Sequence, residues 1–140
     1  MDAAEMSTRR ARARELHEKT YNCAQCVALV CADLVDLDPN LAFTLCEGLG
    51  GGLGCFDQTC GALNGAAVVI SKKSCGGMGN PSTKKQTYVH MRKMIDAFRE
   101  KHGETLCDRL RPSKHNNVTV TCTDYICDAV EMTIAVLESM

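Results

Sequence analysis

Ten of the 140 residues are cysteine, and these thiols carry the clearest chemical signal in the sequence. Thiolates bind soft metals and iron–sulfur clusters, and pairs of thiols form reversible disulfides. Cys23 and Cys26 form a Cys-x-x-Cys pair, whose side chains share one face of a helix and could reach one metal ion or form a disulfide. Since free cysteine is also among the most buried residue types, packing in the core is the alternative for this pair.

Cys60 is the best single candidate for a functional residue. It is expected in the first turn of a helix, where the helix macrodipole favours the thiolate form. That position suits either a metal ligand or an attacking nucleophile. The alternative is a buried thiol that fills the space beside Gly61 and Gly65.

Five glycines lie within the seven residues 48–54. The run lacks the Gly-Lys-Ser/Thr ending of a phosphate-binding loop, and no strand is expected before it. Backbone without side chains can approach a bulky group closely and donate N–H groups to sulfur. We therefore expect a cofactor-lining loop, with a flexible linker as the alternative. The glycines of this predicted loop are Gly50, Gly51, Gly52 and Gly54.

Composition and charge narrow the classes of function. Lys plus Arg is 16 and Asp plus Glu is 17, so the net charge of −1 argues against nucleic-acid binding. The first ten residues show no apolar signal segment, and the longest apolar stretches, 26–32 and 65–70, are too short to cross a membrane. These features predict a cytoplasmic protein without membrane insertion. In a reducing compartment, metal ligation or redox chemistry explains ten cysteines better than five disulfides.

The elements that must position these thiols are short helices. Asn22 with Gln25, and Asp38 followed by Pro39, are typical of helix starts. The patterns predict a single all-α domain over residues 1–140, with about six or seven short helices and a Gly-rich loop. The predicted helices cover about residues 3–19, 23–34, 39–47, 59–74, 84–102, 104–110 and 121–140.

Three further predictions concern an amphipathic helix, the strand signal and the histidines. The clearest amphipathic helix has its apolar stripe at Tyr88, Met91, Ile95 and Phe98. The one β-branched run, residues 118–121, is too short to count as a strand signal. The histidines show no ligand spacing among themselves, and each is predicted to be a surface or partly buried polar residue: His17, His90, His102 and His115.

Several motifs occur together in an order that is hard to obtain by chance. They are Tyr-Asn-Cys-Ala-Gln at 21–25, the glycines at 50–54 and Cys-Gly-Ala-Leu-Asn-Gly at 60–65, followed by cysteine motifs at 107–110 and 122–131. From about residue 10 to 138 the chain resembles the C_GCAxxG_C_C family of redox-active proteins. The resemblance implies a helical redox domain with four characteristic cysteines, which here are Cys23, Cys60, Cys107 and Cys122.

The family is also similar to the non-haem part of split-Soret cytochromes, which is associated with an iron–sulfur centre and with dimers. This chain has no haem attachment motif, so a haem function does not carry over. The resemblance implies an iron–sulfur cluster, either 2Fe–2S or 4Fe–4S, on the four cysteines, together with a homodimer and an unidentified redox partner protein. Among the six further cysteines, Cys26 and Cys55 are additional candidate thiols.

Three functions follow from these observations, and whether the protein is an enzyme stays open. The first is an iron–sulfur protein that transfers or senses electrons. The second is a metal-free thiol–disulfide protein, in which Cys60 is a low-pKa attacking thiolate and Cys23 or Cys107 resolves the disulfide. The third is a structural zinc site or metal carrier. Metal content distinguishes the three.

Overall fold

The structure, a computed structural model, describes residues 1–111 and 120–140. These two ranges contain seven α-helices and one isolated antiparallel bridge between Thr59 and Leu106. The all-α prediction is therefore confirmed. His115 and the first part of the β-branched run at 118–121 lie outside the described residues. The helices are α1 (Ala3–Glu18), α2 (Cys23–Cys31), α3 (Pro39–Cys46), α4 (Gly61–Ser74), α5 (Lys84–His102), α6 (Cys107–Leu110) and α7 (Cys122–Glu138).

Local hydrogen bonds determine where α2 and α7 begin. Asn22 accepts from the Gln25 amide at 2.9 Å, and the Gln25 side chain accepts from the Asn22 amide at 3.0 Å. Thr121 and Asp124 form the same reciprocal arrangement ahead of α7. Such caps contribute about 1 kcal/mol each. Because both caps act within three residues, the sequence alone places Cys23 and Cys122 at the first position of a helix.

The core forms where α2, α4 and α7 pack against one another. α1 packs on α7 and α2, while α5 covers α4 and α7. Burying an apolar side chain of this size contributes about 1.5–3 kcal/mol. The three central helices therefore hold their first turns in stable relative positions. The largest fully buried side chains include Val27, Leu63, Ile70, Met94, Phe98 and Ile126.

The predicted buried face of α5 is wrong in part. Tyr88, expected on the apolar stripe, is 66% exposed, whereas Phe98 is fully buried as expected. Thr87 faces the core in place of Tyr88, and its hydroxyl donates to Ser74 Oγ at 2.7 Å, so the buried polar group has a partner. His90 is also buried, contrary to its prediction as a surface or partly buried residue.

Asp128 is a buried carboxylate that connects α7 to α1 and α5. Its oxygens lie 3.1 Å from Arg10 Nη1, 3.0 Å from Lys101 Nζ and 3.0 Å from His102 Nε2. Burial alone would raise the pKa of Asp128, but hydrogen bonds from Lys101 and Arg10 hold that pKa below its usual value. The carboxylate therefore stabilises the fold in its charged form.

Asp128→Asn is expected to lower the free energy of unfolding by about 2–3 kcal/mol at pH 7, because hydrogen bonds to a charged group are lost. The folded-state pKa is depressed, so this contribution is present above the unfolded-state pKa of about 3.9 and is lost as the pH falls through the folded-state pKa. Urea unfolding at pH 7 and at lower pH measures both effects. Asp96→Asn is the control, since its 4.0 Å pair with Arg99 is exposed. Equal decreases in the free energy of unfolding of the two variants would contradict this role of Asp128.

Candidate functional site

Four cysteines from distant parts of the chain line one cavity. Cys23, Cys60, Cys107 and Cys122 surround a space of about 240 Å³. Three of them are the first residues of α2, α6 and α7, and Cys60 is the residue immediately before α4. The structure thus brings together the four cysteines that the family resemblance singled out.

Helix starts and one arginine contribute positive potential at the cavity. α2, α4 and α7 all begin there, and the first turn of a helix carries unpaired N–H groups and the positive end of the macrodipole. The Arg111 side chain lies at the same cavity. The surroundings therefore favour an occupant with negative charge, such as a group held by thiolates.

Two backbone hydrogen bonds hold Cys60 close to Cys107. The Cys60 amide donates to the carbonyl of Thr105 at 2.8 Å, and the Cys107 amide donates to the carbonyl of Gln58 at 2.7 Å. These bonds flank the single antiparallel bridge of the described residues. The segments that lead into α4 and α6 are consequently joined where their cysteines meet.

Glycines allow the backbone to approach these cysteines. A Cβ on Gly61 would overlap the sulfur of Cys23 and would lie 2.9 Å from the Cα of Gly50. A Cβ on Gly52 would lie 2.6 Å from the Cβ of Cys107. Both distances are shorter than real Cβ contacts. Close packing, rather than a flexible linker, therefore explains the glycines at these positions.

The glycine loop reaches the cavity through Gly51 and the nearby Phe56. Gly51 lines the cavity, and a Cβ there would lie 3.0 Å from the Phe56 ring. Phe56 has a φ of 63°, a left-handed conformation that is energetically costly for a residue other than glycine. Its apolar side chain is 52% exposed. The Arg111 guanidinium lies 5.0 Å from the centre of the Phe56 ring. Of the four glycines predicted to line the cofactor, only Gly51 lines the cavity. Gly50 packs against Asn22, Gly52 packs against Cys107, and Gly54 has open space around it, so the prediction is wrong for these three.

Burial is the main cause of the raised pKa values of three cavity thiols. Burial and then the neighbouring Cys23 raise the pKa of Cys60 to about 12, and backbone N–H groups oppose this without offsetting it. The same two causes, in the same order, raise the pKa of Cys107 and of Cys122. The expected low pKa of Cys60 is therefore wrong for the free thiol. A metal that binds here must displace protons from these thiols.

The two additional candidate thiols do not line the cavity. Cys26 is fully buried in the core, as the packing alternative predicted, and its sulfur lies 3.6 Å from the Tyr21 carbonyl oxygen. Cys55 is exposed, and its sulfur lies 3.4 Å from the Gly52 carbonyl oxygen. Cys23 therefore lies at the cavity, whereas Cys26 lies in the core.

The described residues do not form a compact site for a single metal ion. Across residues 1–111 and 120–140, no group of three or more His, Cys, Asp or Glu side chains is arranged to hold one. Four sulfurs that bind one zinc ion lie about 2.3 Å from it and thus close to each other. The four cysteines instead line a cavity.

Two polar residues of the cavity could not be recognised from the sequence. His17 lines it, and its Nδ1 lies 2.7 Å from the hydroxyl of Thr123. Tyr125 also lines it and donates its hydroxyl proton to the Leu110 carbonyl at 2.7 Å. No local signal marks His17, because its proximity to the cysteines depends on how α1 packs against α7.

Comparison with known proteins gives one match. The sequence model of a family described as putative redox-active protein (C_GCAxxG_C_C) matches residues 21–136, which is more than half of the chain. No curated protein and no solved structure gives a significant match. Among the described residues, no helix has both the length and the apolar character needed to span a membrane.

Proposed function

We propose that the chain, which belongs to the C_GCAxxG_C_C family of redox-active proteins, binds an iron–sulfur cluster and transfers or senses electrons. Membership confirms the resemblance found in the sequence. The observation that carries the proposal is the meeting of Cys23, Cys60, Cys107 and Cys122 at one cavity. These four residues would hold the cluster.

The cavity fits a cluster in three respects. Four thiols are the usual donor set of 2Fe–2S and 4Fe–4S clusters. The volume of about 240 Å³ exceeds the roughly 150 Å³ that accommodates a benzene molecule in another protein. The helix starts offer N–H groups and positive potential to a centre that four thiolates make anionic.

The protein and the cluster would divide the chemistry between them. A bound cluster supplies the capacity to gain and lose one electron. The chain holds the thiols in place through the backbone bonds of Cys60 and Cys107. The Phe56 side chain lines the cavity and is 52% exposed, so it would lie between a bound cluster and solvent. Hydrogen bonds and solvent exposure are the means by which a protein adjusts cluster potentials.

The two alternatives have less support. A metal-free thiol–disulfide protein needs a reactive thiolate, but burial raises the pKa of Cys60 to about 12. A zinc protein needs a compact set of ligands, and the described residues do not form one. Neither alternative accounts for the cavity between the four thiols.

The test is anaerobic purification, followed by analysis of iron, zinc and acid-labile sulfide together with a visible spectrum. We expect about two or about four iron atoms per chain, an equal amount of sulfide and thiolate-to-iron absorption. A protein that stays colourless after reconstitution would reject the proposal. Zinc without sulfide would support the zinc site, and reversible disulfides without metal would support thiol redox chemistry.

A homodimer and a separate redox partner protein remain proposals. Leu41 and Leu45 on α3, and Leu53 and Phe56 in the glycine loop, are exposed apolar side chains that such an interface would cover. A monomeric mass in solution would reject the dimer. The cytoplasmic location and the lack of nucleic-acid binding likewise remain predictions.

A further inference from the structure

His17 is a cavity residue that the proposed ligand set does not use. It lies in the last turn of α1, is partly buried and lines the same cavity as the four cysteines. Its Nδ1 lies 2.7 Å from Thr123 Oγ1. Because Thr123 follows Cys122 in α7, this contact ties the imidazole ring to the helix that carries one of the candidate ligands.

The contact with Thr123 occupies only one of the two ring nitrogens. Thr123 is the one hydrogen-bond partner of the His17 ring among the described residues, so Nε2 has none there. When the Thr123 hydroxyl donates to Nδ1, the neutral ring carries its proton on Nε2. An N–H group beside a cavity lined by four sulfurs can donate to a sulfur acceptor there.

We infer that His17 donates a hydrogen bond from Nε2 to the centre held by the four cysteines, and that Thr123 positions the ring for this purpose. The inference rests on the proposed function. On reduction one electron enters the centre, the proton stays on Nε2, and no covalent bond of His17 changes. Reduction increases the negative charge on the sulfurs, so the hydrogen bond stabilises the reduced form more and raises the reduction potential.

The test is a reductive titration of the reconstituted protein, with dithionite and redox mediators, followed by its visible spectrum. His17→Phe keeps a ring in the cavity but removes the donor. We expect this variant to retain its iron and sulfide and to have a more negative reduction potential. His17→Gln supplies an amide N–H, and it should recover part of the shift. Thr123→Val should shift the potential in the same direction by a smaller amount, because the donor remains but is no longer held.

Each other outcome has a distinct meaning. Equal potentials for wild type and His17→Phe, at equal iron content, would overturn the hydrogen bond and leave the proposed function intact. If circular dichroism shows that His17→Phe is folded but the protein has lost its iron, then His17 is a ligand of the centre. That result would also overturn the inference. If His17→Phe does not fold, equal potentials of wild type and Thr123→Val would overturn it. A wild-type protein without a cluster would overturn the proposed function, and the inference with it.

Discussion

Cys60→Ala is expected to abolish cluster assembly, so that iron and sulfide per chain fall at least about tenfold after reconstitution. Cys60 is only 7% exposed and stands between the cavity and α4. An alanine methyl group cannot bind iron, and neither Cys26 nor Cys55 lines the cavity to replace the lost thiol. Iron and sulfide analysis, with the visible spectrum, measures the effect.

Three other cysteines provide the controls. Cys75→Ala removes an exposed thiol that does not line the cavity, and it should leave iron content unchanged. Cys26→Ala and Cys55→Ala should also retain the cluster, because neither side chain lines the cavity. Circular dichroism checks that each variant folds. A normal cluster in Cys60→Ala, or its loss in Cys55→Ala, would mean that the ligand set is wrong.

Gly61→Ala is expected to disrupt the site although it adds a single methyl group. Alanine is favoured over glycine in a helix by about 1 kcal/mol, so propensity alone predicts a gain in stability. The new Cβ, however, would overlap the sulfur of Cys23 and lie 3.2 Å from the Leu49 carbonyl oxygen. Relief requires α4 to move away from α2 or the Cys23 sulfur to leave its position. We expect loss of the cluster and a decrease of about 1–3 kcal/mol in the free energy of unfolding.

Gly48→Ala is the matched control, since a Cβ there has no atom within 4 Å. It should keep full iron content and wild-type stability. Urea unfolding and iron analysis of the two variants test the close approach of α4 to Cys23 directly. Retention of both stability and iron by Gly61→Ala would refute the claim that this glycine is required by packing.

Features that depend on neighbouring residues could be predicted from the sequence. The caps at Asn22, Asp38 and Thr121 place the starts of α2, α3 and α7, because each cap is a hydrogen bond within three residues. The all-α fold could be predicted for the same reason. The family resemblance grouped the four cysteines, but no local rule shows that they meet.

Features that depend on contacts between distant segments could not be predicted. Tyr88 is exposed while its neighbour Thr87 is buried and bonded to Ser74, which lies on another helix. The placement of His17 at the cavity follows from how α1 packs on α7. Neither contact leaves a periodic pattern in the sequence.

Cys60 shows most clearly what the local sequence determines and what depends on the tertiary structure. The sequence by itself determined that this thiol stands at the start of a helix, because helix starts follow from short-range hydrogen bonds and backbone preferences. Only the tertiary structure decided that it is buried beside Cys23 and Cys107, with a pKa raised to about 12. Desolvation depends on every element packed around the thiol and here outweighs the helix N-terminus, so the local sequence could not reveal it.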